Sequence, residues 1–458
     1  MNARTRQIVV ATRPLLVISL VLLGGSVALA EEAEQNEAPI FDPWSGLDRD
    51  GRIPATEKPV EHPERWRYIP EGRLKPGNVL ERFMVSSFIA PFVFNDSDVG
   101  FGGGLALTDI DFREQRRREF LGLFLSYSAE GQQAYTAIWQ RWLHHQDLPG
   151  GGVLQEERSF VRAAGGYSRT LTRRFFGIGD DTDEDDETSY TDEYAYLALG
   201  MDLTLPEPGD DLVLALGARV EWHNLGPGHV DGAGQTSRRF PALFAAADRD
   251  ALGWLHTELR WDTRDSERLP YHGFDAGARI DAAPFQSEWN AGAIFGLFGS
   301  DFIPVPGLFH SGGTGSSEEN PPTDTVALHL ETETTAGHLP FLALPSFGGG
   351  ERGRGYIEGR FRDRSLWAGT IEYRFWVVPR GFALSPWTPE LRVERLGLAL
   401  FYDVGAVADH WWDLLRSTPR NSVGIGFRAT LERSAPFRID IGFSNEGAEV
   451  TAGFGLSF

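Results

Sequence analysis

The 458-residue chain contains no cysteine, which removes disulfide frameworks, thiolate zinc sites and cysteine nucleophiles together. It is also short of positive charge. Its 43 Lys and Arg stand against 65 Asp and Glu, a net charge of −22, and no local basic patch offsets that balance. Nucleic-acid binding needs a basic footprint, so that class of partner is set aside. Long apolar runs are missing after the first thirty residues: the best later stretch, 83–94, is short and holds Ser86, Ser87 and Pro91, too little for a membrane-crossing helix. No Gly-x-Ser-x-Gly elbow occurs and no hydrolytic triad assembles, so neither an enzyme nor a cofactor is expected. What is over-supplied is glycine (53) and aromatic residues (13 Trp, 11 Tyr, 31 Phe), the composition of many short strands joined by turns.

The amino-terminal residues set the compartment. Arg4, Arg6 and Arg13 flank the apolar run 15–22, Gly24, Gly25 and Ser26 interrupt it, and Ala28-Leu29-Ala30 precedes Glu31. This is the pattern of a secretory signal peptide over 1–30. Its removal takes three arginines and moves the net charge from −22 to −25. An exported chain without a spanning helix can enter a membrane only as a closed barrel, which satisfies its backbone polar groups internally.

Residues 31–85 are acidic and carry Pro39, Pro43, Pro54, Pro59, Pro63, Pro70 and Pro76 without sustained periodicity, and are expected to form an extended periplasmic lead. From 86 to 458 the chain alternates. In 396–405, Leu396, Leu398, Leu400, Tyr402 and Val404 oppose Gly397, Ala399, Phe401, Asp403 and Gly405; in 367–377, Glu372, Arg374 and Trp376 share one face behind Ile371, Tyr373 and Phe375. His256, Glu258, Arg260 and Asp262 likewise back onto Leu255, Leu259 and Trp261. Period-two segregation predicts strands; a soluble sandwich would show it too, but export and the aromatic content favour lipid outside and water inside. Strand starts are expected near residues 88, 99, 116, 131, 158, 190, 211, 251, 273, 288, 322, 366, 395, 419, 435 and 447, least clearly around 224–250 and 285–322. The chain closes on Val450, Ala452, Phe454, Leu456 and Phe458, expected on one face, with Phe458 as the terminal aromatic assembly signal of outer-membrane barrels. The fold class is therefore an all-β, transmembrane antiparallel β-barrel of about sixteen strands.

Three motifs carry a family resemblance. Gly348-Gly349, four residues, then Arg354-Gly355-Tyr356 resembles the loop signature of the BamA/TamA superfamily, the bacterial surface-antigen family. Phe401-Tyr402-Asp403-Val404-Gly405 resembles its F-x-D-x-G strand motif, and Asp262, Arg264, Pro270 and Gly273 resemble its D-x-R…P-x-x-G periplasmic turn. The resemblance spans roughly 80–458. It implies sixteen strands with the Arg-Gly-aromatic loop after the eleventh, and pairs Arg354 with Asp403. Members that assemble or secrete proteins carry periplasmic POTRA domains; no β-α-α-β-β module fits 31–85, so a POTRA-less member is expected. What this implies is a non-enzymatic outer-membrane barrel of a Gram-negative bacterium, in membrane biogenesis or protein or lipid translocation, with passive diffusion or a structural role as the alternative. The implied partners are outer-membrane lipid, lipopolysaccharide and, during insertion, the outer-membrane assembly machinery.

The residues make a physical case of their own for a loop folded into the lumen. Gly348, Gly349, Gly350, Gly353 and Gly355 allow a tight turn, and an arginine withdrawn from water needs a carboxylate. Alternation aims both Asp403 and Glu372 inward. The acidic stretch 180–193, with nine carboxylates and no base, lacks the glycine and distal glutamate of a calcium loop and is read as a solvated loop, so no metal is expected. The adjacent His144-His145 pair reads as a connection feature. Mass spectrometry of the membrane fraction should find a mature chain starting at Glu31; folded protein in the soluble periplasm would overturn the barrel.

Overall fold

The alternating segments fold as strands of one sheet. A computed structural model describes residues 65–69, 87–96, 100–109, 111–287, 290–310, 323–379, 382–385, 388–431 and 435–458; the segment read as a signal peptide and most of the one read as a lead lie outside them. Sixteen strands form the barrel: β1 (Ser87–Asp96), β2 (Gly100–Asp109), β3 (Glu119–Ser128), β4 (Gln133–Trp142), β5 (Phe160–Phe175), β6 (Thr188–Leu205), β7 (Leu212–Pro227), β8 (Ala251–Asp262), β9 (Gly273–Gln286), β10 (Gly292–Val305), β11 (Asp324–Gly337), β12 (Ser365–Val378), β13 (Thr388–Ala408), β14 (Arg420–Leu431), β15 (Ala435–Ser444) and β16 (Gly447–Phe454). Each pairs antiparallel with the next. Among the described residues no ladder joins β16 to β1, so the seam of the barrel lies between its terminal strands. The loop-bearing connection 338–364 follows the eleventh strand.

Register fixes the two faces because side chains alternate strictly. Leu197, Leu199, Leu255, Leu330 and Ile371 point outward and are more than half exposed, whereas Glu221, Asp262, Glu331, Glu372, Asp403 and Asp440 are buried inside. Strands of 10 residues, such as β1 to β4, match the roughly 9–11 needed to cross a bilayer; β5, β6 and β13 run to 16, 18 and 21 residues and stand beyond it. The stretch 224–250 adds no membrane-crossing strand, only the two residues Gly234–Gln235, which pair parallel with the start of β6. Two short helical segments, Thr236–Arg239 and Pro241–Ala247, fill it, and Phe240 and Phe244 pack on Phe175, Tyr190 and Phe341. The mouth where β1 begins and β16 ends is the near mouth; the loop 338–364 rises at the far mouth.

The C-terminus departs from the sequence expectation. β16 stops at Phe454, and Gly455 takes a left-handed φ of +88° that breaks the alternation. Leu456 and Phe458 therefore do not continue the outward face of Val450. Leu456 joins Leu269, Tyr271 and Trp376, and the Phe458 ring lies 5.0 Å from His329 and 6.1 Å from Phe302, with the Arg374 guanidinium 5.1 Å away. An apolar seat inside the near mouth holds the last side chains.

Within the segment read as a lead, Trp66–Ile69 pairs with Val153–Glu156, which pairs with His145–Asp147. Trp66, Ile69, Val153 and Leu154 are buried in this small sheet. Arg65 ties it to the β6–β7 connection through the Gly209 carbonyl (2.6 Å) and Asp211. Arg158 ties it to the β8–β9 turn, donating to the Asp262 carbonyl at 2.7 Å. Glu156, buried at the end of the middle strand, accepts from the Arg158 and Ser159 amides at 2.7 Å each. Burial outweighs those bonds and pushes its carboxyl up to about 7 from an ordinary 4.5. The folded sheet holds a proton that the unfolded segment releases, so this contribution is complete below about pH 4.5 and is lost as pH rises through about 7. Hydrogen exchange corrected for intrinsic rate should show the 153–156 amides better protected at pH 5 than at pH 8, and Glu156→Gln should flatten that difference.

Candidate functional site

The connection 338–364 turns back into the barrel instead of standing in solvent. Phe347 pairs with Phe361 in a two-stranded ribbon, and the chain between them reverses at Gly348 and Gly349, whose φ values of +116° and +115° suit glycine. A β-carbon at Gly348 would also meet the Ile357 carbonyl at 2.3 Å. The reversal points Arg354 at the inner wall.

Arg354 has no exposed surface. Its Nε and Nη2 donate to the two carboxylate oxygens of Asp403 at 3.0 and 2.9 Å, its backbone amide donates to the same carboxylate at 3.0 Å, and Nη1 donates to Glu372 at 2.6 Å. The guanidinium lies 3.5 Å above the Phe401 ring. Strands β12, β13 and β15 supply the partners, with Asp440 3.6 Å from Nη1. The carboxylates are themselves shared: Thr370 donates to Asp403 at 2.9 Å, and Arg374 and Arg428 donate to Glu372 at 2.8 and 3.1 Å. Arg428 and Arg438 donate to Asp440 at 2.7 and 2.9 Å. Four guanidiniums and three carboxylates thus form one buried network.

Close approach of loop to wall depends on absent side chains. A β-carbon at Gly355 would lie 2.7 Å from Phe443 and Ser422 atoms, one at Gly405 2.5 Å from the Phe347 ring, and one at Gly442 2.3 Å from the Arg354 carbonyl. Tyr356 does not pack around the Arg354–Asp403 pair. Its ring sits between Phe347 (6.0 Å) and Phe361 (5.4 Å), and its hydroxyl donates to Asn445 at 2.6 Å. The reason is direction: Arg354 and Tyr356 lie in a turn, and only Phe401 is under the guanidinium.

Two further arginines anchor the loop where alternation gave no hint. Arg352 bridges Glu331 and Glu333 of β11 at 2.5–2.7 Å. Arg360 reaches Glu446 at 2.7 Å and, in the acidic β5–β6 loop, the Thr182 hydroxyl and carbonyl at 2.9 and 3.0 Å. Asp183 caps a turn there by accepting from the Asp185 amide at 3.0 Å. Between the loop and strands β5 to β9 remains a polar chamber of about 830 Å³, lined by Arg173, Asp192, Glu221, His223 and Glu358 among others.

The third motif closes the β8–β9 turn at the near mouth. Asp262 accepts from the Arg264 amide and Nε at 3.1 and 2.9 Å and from its Nη2 at 2.8 Å. Gly273 has φ +92°, and a β-carbon there would lie 2.4 Å from the Thr263 carbonyl. Pro270 is buried beside Leu269 and Tyr271. The motif therefore sits apart from the Arg354 network.

Removing the Arg354 side chain leaves Asp403 buried with only the Thr370 hydroxyl and the backbone amide of residue 354, a loss of about 3–5 kcal/mol local to the loop. Arg354→Ala and Asp403→Ala should each increase protease access to 348–362 while the barrel still migrates as a folded, heat-modifiable band. Arg354→Lys should rescue only in part, since an ammonium cannot make the bidentate contact. The double variant should be milder than the sum of the singles; additivity would show that the pair is not coupled.

A family model described as the Omp85 superfamily domain matches residues 159–458. Comparison with curated proteins returns no match. Similar solved structures include BamA from Haemophilus ducreyi lacking POTRA domains 1–3, at 13% identity and TM-score 0.47 over 81% of this chain and 70% of that one. CdiB from Acinetobacter baumannii aligns at 11% identity and TM-score 0.42, over 80% of this chain and 58% of its own. The family match takes in β5 through β16, the inward loop and all three motifs, and the chain belongs to the Omp85 superfamily of outer-membrane β-barrels.

Proposed function

We propose that this barrel is a non-enzymatic member acting in outer-membrane biogenesis or in moving protein or lipid cargo through or beside the barrel, with the near mouth in the periplasm. The observation that carries the reading is the loop held in the lumen by Arg354, Arg352 and Arg360. A pore built for passive diffusion gains nothing from a network of four arginines and three carboxylates that fills its own bore, whereas a barrel that must stay sealed at rest needs such a plug. The chamber of about 830 Å³ beside the loop leaves polar space without an obvious wide channel. Outer-membrane lipid and lipopolysaccharide surround the barrel in this reading, and the assembly machinery meets it during insertion.

Planar-bilayer recording tests this. The wild-type barrel should show small, flickering conductance, and Arg354→Ala or Asp403→Ala should raise it by loosening the loop. Large, stable steps from the wild type would assign it instead to passive diffusion.

A further inference from the structure

On the outer face of strands β9 to β13 lies an apolar groove of about 600 Å³, within the roughly 300–1,000 Å³ range of small-ligand sites. Phe274, Leu330, Ile371 and Tyr402 form its walls, Gly299 and Gly369 its floor, and Asp301 lines it as well. The ladder registers put Gly299 and Gly369 on either side of Leu330, and Asp301 in the row of Phe274, Leu328 and Ile371. All these side chains share the outward parity of the lipid-facing residues.

Neither floor glycine is required by the fold. A β-carbon at Gly299 would meet nothing closer than 3.7 Å and one at Gly369 nothing closer than 3.6 Å, in contrast to 2.5 Å at Gly405 and 2.1 Å at Gly424 in the lumen. The space above them is left open to the outside. Asp301 is the second observation. It is exposed, and its carboxylate has no hydrogen-bond or ionic partner among the described residues. It lies four residues before Val305, the near-mouth end of β10, about 13 Å along the strand. A carboxylate facing lipid costs less near the interface than at the midplane, and a cationic group brought to it there offsets that cost.

We propose that this groove seats one phospholipid bearing a primary ammonium headgroup, its acyl chain lying over Gly299 and Gly369 and its ammonium donating to Asp301. Charge complementarity selects this occupant: the wall is apolar for a chain, and Asp301 is the one outward-facing charge that lines it, since Asp275 of the same groove is buried on the inner face; a carboxylate there repels anionic headgroups. The inference rests on the barrel being in a membrane and is independent of whether the loop seals the lumen.

Native mass spectrometry of the full chain in detergent, titrated with phosphatidylethanolamine or phosphatidylglycerol of the same acyl composition, tests it. One phosphatidylethanolamine should be retained per barrel, with phosphatidylglycerol about tenfold weaker, as expected for one charge-assisted hydrogen bond gained against one repulsion. Asp301→Asn, which keeps the shape, should abolish the preference between the two lipids. Gly369→Val, which fills the floor, should lower retention of phosphatidylethanolamine about tenfold at unchanged heat-modifiability. If Gly369→Val does not fold, Gly299→Val serves, and Asp301→Asn alone still decides. Equal retention of both lipids by the wild type, or an unchanged preference in Asp301→Asn, would mean ordinary annular lipid only and would overturn the site. Conductance plays no part in this readout, so failure of the plugged-barrel reading and failure of this site are told apart.

Discussion

A guanidinium taken out of water has to find carboxylates on every side from which it lost solvent, and Arg354 is the residue on which this barrel meets that demand. Its fork donates side-on to Asp403 and, from the remaining nitrogen, to Glu372, which requires β12 and β13 adjacent and β15 curved toward them. The sharing of those carboxylates with Arg374, Arg428 and Arg438 leaves no charge in the cluster single. Buried ion pairs of this kind add little net stability over an apolar core. What they fix is position: one loop conformation satisfies the whole set.

Space is the second constraint. The wall facing the loop is built from Gly405, Gly424, Gly426 and Gly442; a methyl group at Gly405, Gly424 or Gly442 would overlap the loop or a neighbouring ring, and one at Gly426 would overlap Asp440 and Arg428 of the network. Charge draws the loop inward, and the missing side chains let its backbone reach hydrogen-bonding distance. The same barrel uses glycine differently on its outside, where Gly299 and Gly369 are crowded by nothing.

Much of this arrangement is legible in the sequence. Period-two alternation put Asp403 and Glu372 on the inner face because a strand's register allows no other choice, and the loop motif named Arg354 as their partner. Arg428, Arg438 and Asp440 were open to the same reading, but their joining depends on the curvature that brings β15 over β12, which no local pattern encodes. Arg360 was beyond it altogether, since one of its acceptors is the backbone carbonyl of Thr182. Trp66–Ile69 is four residues among prolines, too short for any period to register. Phe458 kept the right parity on paper; a single left-handed glycine at 455 reversed it.

The anchors of the loop also differ in how far along the chain they reach. The bonds of Arg354 close over 18 and 49 residues, and that of Arg360 to Glu446 over 86, whereas Arg360 to Thr182 and Arg173 to Glu358 close over 178 and 185. Closure entropy rises with the length of chain enclosed, and contacts distant in sequence form slowly. The final third of the polypeptide thus holds both the plug and the carboxylates that tether it most locally, and the wall of β5 and β6 supplies only the longest-range anchors. Stopper and holder are one contiguous stretch of chain, not two parts brought together from opposite ends of it.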